Sequence, residues 1–223
     1  NWSYFFSAWG LPGRYPALFD DPKRGEEARR VFDDAQRLLS EIVDRRLLRA
    51  DGVIGLYPAA SDGDDIVLYA DESRERERMR LPQLRNQQAD RERNLSLADF
   101  VAPLGSGVKD YVGAFAVTAG LGLEELAGRY RSEGDDYRAI MAKLLADRLT
   151  EAFAEALHRY ARVTLWGYER EGQWSVGDLL AEKYQGIRPA FGYPSAPDHS
   201  LKADVFALMD VGTVTGMTMT ESY

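Results

Sequence analysis

Val53-Ile54-Gly55-Leu56-Tyr57, then Asp62-Gly63-Asp64-Asp65, then Ile66-Val67-Leu68-Tyr69: the reading of this stretch decides the sheet. Two apolar runs rich in β-branched residues flank a turn that contains Asp-Gly. That pattern predicts a β-hairpin, and with it an antiparallel pairing.

Working upstream, Asp51-Gly52 ends a long helical pattern. Over residues 25–48 the apolar positions Ala28, Val31, Phe32, Ala35, Leu38, Leu39, Ile42, Val43 and Leu47 fall three or four apart, which is one stripe on an amphipathic helix. Asp20-Asp21-Pro22 supplies its start, with proline in the first turn. The aromatic segment before it, with Trp9-Gly10, Leu11-Pro12-Gly13 and Tyr15-Pro16, reads as irregular structure.

Downstream, residues 73–94 alternate Arg and Glu. The glutamates cancel much of the basic field, so a solvated edge strand or exposed linker is favoured over a nucleic-acid stripe. Residues 96–103 and 110–118 are short apolar runs bounded by Gly and Pro, and both predict central strands. Residues 123–163 are helical in pattern but too long for one ordinary helix. The polar Ser132-Glu133-Gly134-Asp135-Asp136 divides them, and the second half places Ile140, Leu144, Leu145, Leu149, Phe153 and Leu157 on one side. Thr164-Leu165-Trp166-Gly167-Tyr168 reads as extended, residues 175–183 as a short helix capped by Ser175, residues 201–209 as a helix, and residues 215–221 as a last strand. Strands and helices do not alternate regularly. The fold class is therefore α+β with a mostly antiparallel sheet, not a doubly wound parallel one.

Composition narrows the function. A chain of 223 residues with 45% hydrophobic, 29% charged and 11% aromatic residues has a globular profile. The net charge of −8 disfavours binding to nucleic acid and to anionic lipid. Cysteine is absent, which removes disulfides, thiolate zinc sites and cysteine nucleophiles and fits a reducing cytoplasm. No uncharged apolar run approaches the roughly 20 residues that cross a bilayer.

Local chemistry is thin. Of two histidines, His158 reads as a helix-surface residue and His199 as a loop-capping one; neither has a partner at metal-ligand spacing, and no metal site is expected. The loop Gln185-Gly186-Ile187-Arg188-Pro189-Ala190-Phe191-Gly192-Tyr193-Pro194 says more. Proline biases Arg188 to an extended backbone, from which its planar fork can meet a carboxylate or phosphate. Ala190, Phe191 and Gly192 offer main-chain groups, and Tyr193 a ring, to a purine. Taken alone, these residues favour a rigid connecting loop with a surface arginine over a binding loop. Glu151 and Glu182, on the preceding helical segments, read as solvated unless they share a pocket with Arg188.

The same loop closely resembles the R-P-A-x-G-Y-P signature of the S-adenosylmethionine-binding reactivation domain of cobalamin-dependent methionine synthases. Residues 96–103, 110–118, 135–137, 146–155, 166–168 and 215–222 resemble that family in its own order, so the resemblance spans nearly the whole chain. It implies one domain over residues 1–223, lacking the family's C-terminal end, with a C-shaped α+β fold around a twisted antiparallel sheet and long flanking helices. It implies binding of S-adenosylmethionine, a cobalamin cofactor carried by a partner module, and a flavodoxin-like electron donor. It implies a parent that is a cytoplasmic methyltransferase, and the isolated domain is not expected to make methionine. No nucleic-acid or membrane partner is expected.

Residue by residue, the resemblance assigns Arg188 to the ligand's carboxylate, Ala190 to the adenine through its backbone, and Tyr193 to the lining of that loop. It assigns Glu151 and Glu182 to the sulfonium side. Asn1 stands where the family usually has aspartate before the tryptophan of D-W-x-x-F-F, so it keeps an acceptor for the ligand's ammonium but loses the charge. The competing reading is an interaction module of the same fold that has lost its ligand. A nucleic-acid binder using residues 74–93 is opposed by the net charge, and a free-standing methyltransferase by the absence of a glycine-rich nucleotide loop.

Overall fold

The computed structural model describes residues 1–85, 87–89 and 94–219. The chain forms two compact units, each built from two separate stretches: Asn1–Asp51 with Val117–Tyr184, and Gly52–Ala116 with Gln185–Tyr223.

The first unit is helical. Helix α1 spans Trp2–Ala8, where irregular structure was expected, and a 3-10 turn covers Ala17–Asp20. Helix α2 spans Gly25–Asp44 and buries Ala28, Val31, Ala35, Leu38 and Ile42, the three-and-four spacing of the predicted stripe; Val43 is exposed. Its start lies beyond the predicted Asp-Asp-Pro, and Asp21 accepts there from the backbone N–H groups of Lys23 and Arg24 at 2.9 and 3.0 Å. Gly25 is required, because a Cβ there would stand 2.3 Å from the Phe19 carbonyl oxygen.

Helices α3 (Leu123–Ser132) and α4 (Asp136–Tyr160) part at the predicted polar break, where Asp135 caps α4 by accepting from the Arg138 N–H at 2.8 Å. The buried face of α4 is Ala139, Met141, Ala142, Leu145, Ala146 and Ala154, whereas Ile140 is 55% exposed. Small residues turn inward, which lets neighbouring helices approach closely. The core joins these residues to Phe5, Phe6, Leu11, Leu18, the α2 stripe, Leu126, Ala127 and Tyr130. Trp2 and Phe32 meet edge to face at 4.8 Å within it. At its end α4 widens into one π-helical turn over Ala161–Leu165, where an extended piece was expected over 164–168, and the Trp166 N–H reaches the Ala161 carbonyl at 2.8 Å. Helix α5 is Val176–Leu180, capped by Ser175 as predicted.

Four strands, β1 (Arg49–Asp62), β2 (Asp65–Tyr69), β3 (Glu77–Pro82) and β4 (Asp110–Leu121), form a sheet in the order β3-β2-β1-β4. The hairpin is present: β1 and β2 pair antiparallel with Ala59 opposite Leu68 and Asp62 opposite Asp65. The charged stretch supplies the antiparallel edge strand β3; its residues 86 and 90–93 lie outside the described residues. Strand β4 is the other edge, not a central strand. Residues 96–103 form no strand at all: Leu97–Phe100 is a 3-10 turn of capping-box sequence, in which the Ser96 N–H donates to the Asp99 carboxylate at 2.9 Å and the Asp99 N–H to the Ser96 carbonyl at 3.1 Å. Helix α6 (Leu201–Leu208) is followed by α7 (Val211–Thr215); of the strand expected over 215–221, Thr215 ends α7, residues 216–219 form no strand, and residues 220–221 lie outside the described residues. The core of this second unit gathers Ala59, Ile66, Leu68, Leu81, Ala98, Val101, Leu201, Val205 and Val211.

Among the described residues of the charged stretch, three arginines are engaged within the fold. Arg74 donates to the Ala59 and Asp110 carbonyls at 2.8 and 2.6 Å, Arg80 bridges Glu77, Asp62 and Asp65, and Arg85 pairs with Asp64 and Asp99. Among the described residues no helix is long and apolar enough to cross a membrane, and no group of three or more acidic or imidazole side chains is placed to hold a metal ion.

Candidate functional site

Of the six candidate residues, Asn1, Glu151 and Glu182 belong to the helical unit and Arg188, Ala190 and Tyr193 to the sheet unit. Within the helical unit, Asn1 caps α1, its Oδ1 accepting from the Ser3 N–H at 3.1 Å. A carbonyl oxygen has two lone pairs, so this cap leaves room for a second donor. Asn1 lines a cavity of about 130 Å³ with Trp2, Phe5, Leu39, Leu145, Arg148, Leu149 and Ala152. Glu151 is exposed on the same turn of α4 as Leu149 and Ala152, so the structure brings Asn1 and the turn that carries Glu151 to one apolar-walled hollow. A larger cleft of about 370 Å³, bordered by Asp34, Glu41, Asp135, Tyr137 and Arg138, contains none of the candidates.

Glu182 follows α5 in a left-handed conformation, φ 53°, with its side chain at the surface. The turn is held from both sides: the Glu182 N–H reaches Leu179 at 3.0 Å, and Lys183 returns to Asp178 through its backbone N–H and its ammonium at 3.1 and 2.7 Å. Fastened by the lysine ammonium and the Ser175 hydroxyl, the Asp178 carboxyl is drawn down to about 2.

In the sheet unit, the loop 185–194 is anchored at its far end. Phe191 packs on the core, Ala196 is buried, and the Ser195 carbonyl accepts from the Leu97 N–H at 2.8 Å. The Gly192 N–H bonds the Ala196 carbonyl at 2.8 Å, and the Tyr193 carbonyl receives the Ala196 N–H at 2.9 Å, closing a tight turn over Pro194 and Ser195. Arg188 stays half-buried, Ala190 exposed, and Tyr193 is 63% exposed. A pinned backbone thus offers a guanidinium fork, main-chain groups and an open ring, which suits a ligand with a carboxylate at one end and an aromatic base at the other.

Both histidines differ from their expected roles. His158 is half-buried, its Nδ1 2.6 Å from Arg162 and its ring edge-on to Tyr184 at 4.9 Å. His199 lies against Gly192; α6 has no side-chain cap, and Asp198 beside it accepts from the Ser200 N–H and hydroxyl. The sequence reading missed Arg162 altogether. It is 1% exposed, and no spacing rule marks it.

Residues 1–223 match the family described as the vitamin B12 dependent methionine synthase activation domain. The chain belongs to that family. A solved structure described as the MetH reactivation domain bound to AdoHcy is 47% identical, with a TM-score of 0.94, over 100% of this chain and 69% of that chain. The α+β class is that of this neighbour.

Proposed function

We propose that this chain binds S-adenosylmethionine and presents its methyl group for the reductive methylation of cob(II)alamin carried by a partner module, restoring methylcobalamin in a cobalamin-dependent methionine synthase. The observation that supports it is a 47% identical neighbour bound to AdoHcy, which is what S-adenosylmethionine becomes once its methyl has left. The balance needs one electron, assigned to a flavodoxin-like donor. The methyl carbon leaves sulfur as a cation equivalent, and the sulfonium becomes a neutral thioether.

The chain's own residues bind and orient. Arg188 takes the ligand's carboxylate through its fork, and Asn1 accepts from the ammonium. The Ala190 backbone meets the adenine, and the Tyr193 ring covers it. Glu151 and Glu182 hold negative field near the sulfonium, so the charged ligand is favoured over the neutral product. Catalysis by the domain is positioning, since the methyl must reach the acceptor along a usable line.

The test is calorimetric titration with S-adenosylmethionine of the wild type, Arg188→Ala and Glu151→Gln, followed by reductive methylation with a cobalamin module. Saturable binding that weakens at least about tenfold in Arg188→Ala, the loss of one charge-assisted pair, supports the reading. A folded chain that binds neither S-adenosylmethionine nor its product points to an interaction module instead.

A further inference from the structure

The buried side of the helical unit carries a cluster that ligand recognition does not use directly. At the π turn, Arg162 is 1% exposed; its guanidinium is hydrogen-bonded through Nε and Nη1, while Nη2 has only the Glu155 carboxylate at 3.9 Å. Its Nε donates to Glu169 Oε2 at 2.8 Å, and Glu169 returns its backbone N–H to the Arg162 carbonyl at 3.2 Å. Its Nη1 lies 2.6 Å from His158 Nδ1; arginine only donates, so Nδ1 accepts and His158 is held as the tautomer protonated on Nε2. Its Cζ sits 4.1 Å from the centre of the Tyr184 ring, which stands nearly perpendicular to the His158 ring. Tyr184 is 7% exposed and stands two residues after Glu182.

Three features converge on one short segment. A π turn widens the helix by one residue and is found disproportionately at functional sites. Glu182 occupies a left-handed conformation just past α5, closed by the bonds of the Glu182 N–H to Leu179 and the Lys183 N–H to Asp178. The chain that leaves this turn is anchored two residues beyond Glu182 by Tyr184, which lies against a buried cation paired with Glu169. Arg162 and His158 are four residues apart and share one helical face, while the π turn shifts the chain that follows, which carries Glu169, by one residue of helical phase, about 100°.

We infer that Arg162 is a positioning residue for Glu182: through its stack on Tyr184 it holds the Glu182 carboxylate where it distinguishes a cationic sulfonium from a neutral thioether. This rests on the reading of Glu182 given above. Arg162 touches no ligand, and its effect is on the preference between two ligands rather than on binding as such.

The experiment measures Kd for S-adenosylmethionine and for S-adenosylhomocysteine, and compares their ratio across variants. Glu182→Gln sets the scale, with about a tenfold fall in preference for the sulfonium. Arg162→Lys keeps the charge that Glu169 needs but loses the planar stack. Tyr184→Leu keeps the ion pair but removes the ring, and Tyr184→Phe restores a ring. The expected result is a several-fold fall in the ratio for Arg162→Lys and Tyr184→Leu, a wild-type ratio for Tyr184→Phe, and no further fall when Arg162→Lys is added to Glu182→Gln. Equal weakening of both ligands in Arg162→Lys and Tyr184→Leu would overturn the inference, as would an unchanged ratio in these two beside a reduced one in Glu182→Gln. An unchanged ratio in Glu182→Gln itself overturns the reading of Glu182, and the inference with it.

Discussion

The backbone of Gly192 rests on the imidazole of His199: a Cβ built on Gly192 would meet the ring at 2.4 Å, and its φ is +102°. A side chain is opposed twice, by the ring, which would have to swing aside, and by the backbone conformation, which strains any residue with a Cβ. Gly192→Ala is therefore expected to weaken S-adenosylmethionine binding about tenfold or more, the scale of a one-ångström misplacement within a site. Adding His199→Ala removes the clash but not the strain, so it recovers only part of the loss. Titration of the two variants checks this, and full recovery in the double variant would show that the glycine conformation is immaterial.

Asn1→Asp keeps the cap on α1, because aspartate is as good an N-cap as asparagine, and adds a negative charge beside the hollow lined by Trp2 and Ala152. If the ligand's ammonium sits there, the variant binds S-adenosylmethionine and its product more tightly by the same factor, about three- to tenfold, since both carry the ammonium. Unequal factors would place the ammonium elsewhere.

In acid, Arg85 and Asp99 decide the behaviour of the sheet unit. The Arg85 guanidinium, at 2.6 and 2.8 Å, holds the Asp99 carboxyl down to about 2, with the Ser96 N–H helping at 2.9 Å. The folded value lies below the unfolded one of about 3.9. The stabilisation is therefore complete above pH ~4 and is lost as pH falls toward 2. Asp99→Asn is expected to cost about 1 kcal/mol at pH 7, screened by solvent, and nothing near pH 2. Thermal melts between those limits test it; a constant cost across the range would refute the assignment.

In base, Tyr137 takes over. Burial pushes its hydroxyl up to about 12, reinforced by Asp34, whose Oδ2 accepts its hydrogen bond at 2.8 Å. The folded value exceeds the unfolded one of about 10, so this stabilisation is present below pH 10 and disappears as pH rises through 12. Tyr137→Phe should flatten the decline in melting temperature over that window. An unchanged slope would mean that the tyrosine is not the group responsible.

What the sequence disclosed, and what it hid, follows from the range of the forces involved. The β1–β2 hairpin and the α2 stripe were legible because a period and an Asp-Gly turn act over a few residues. Residues 96–103 were misread as a strand although Ser96 and Asp99 stand three apart, the capping-box spacing; the apolar run outweighed it. The outward turn of Ile140 and the π turn at 161–165 are set by packing between elements distant in sequence, and no local pattern carries them. The six candidate residues came from the likeness of the 185–194 loop and its neighbours to a family, not from their own spacing. Arg162 lay outside both sources.

Because each unit is assembled from two stretches of chain, neither is finished early in synthesis. Phe5 and the α2 stripe share a core with Met141 and Leu145, so their apolar faces wait for α4 to emerge. The hairpin waits likewise for Leu201, Val205 and Val211. A topology of such long-range closures folds slowly and leaves nascent chains sticky. No cut at a single position yields a free-standing half, and a ribosome stalled before residue 140 would display an apolar helix face for chaperones to cover.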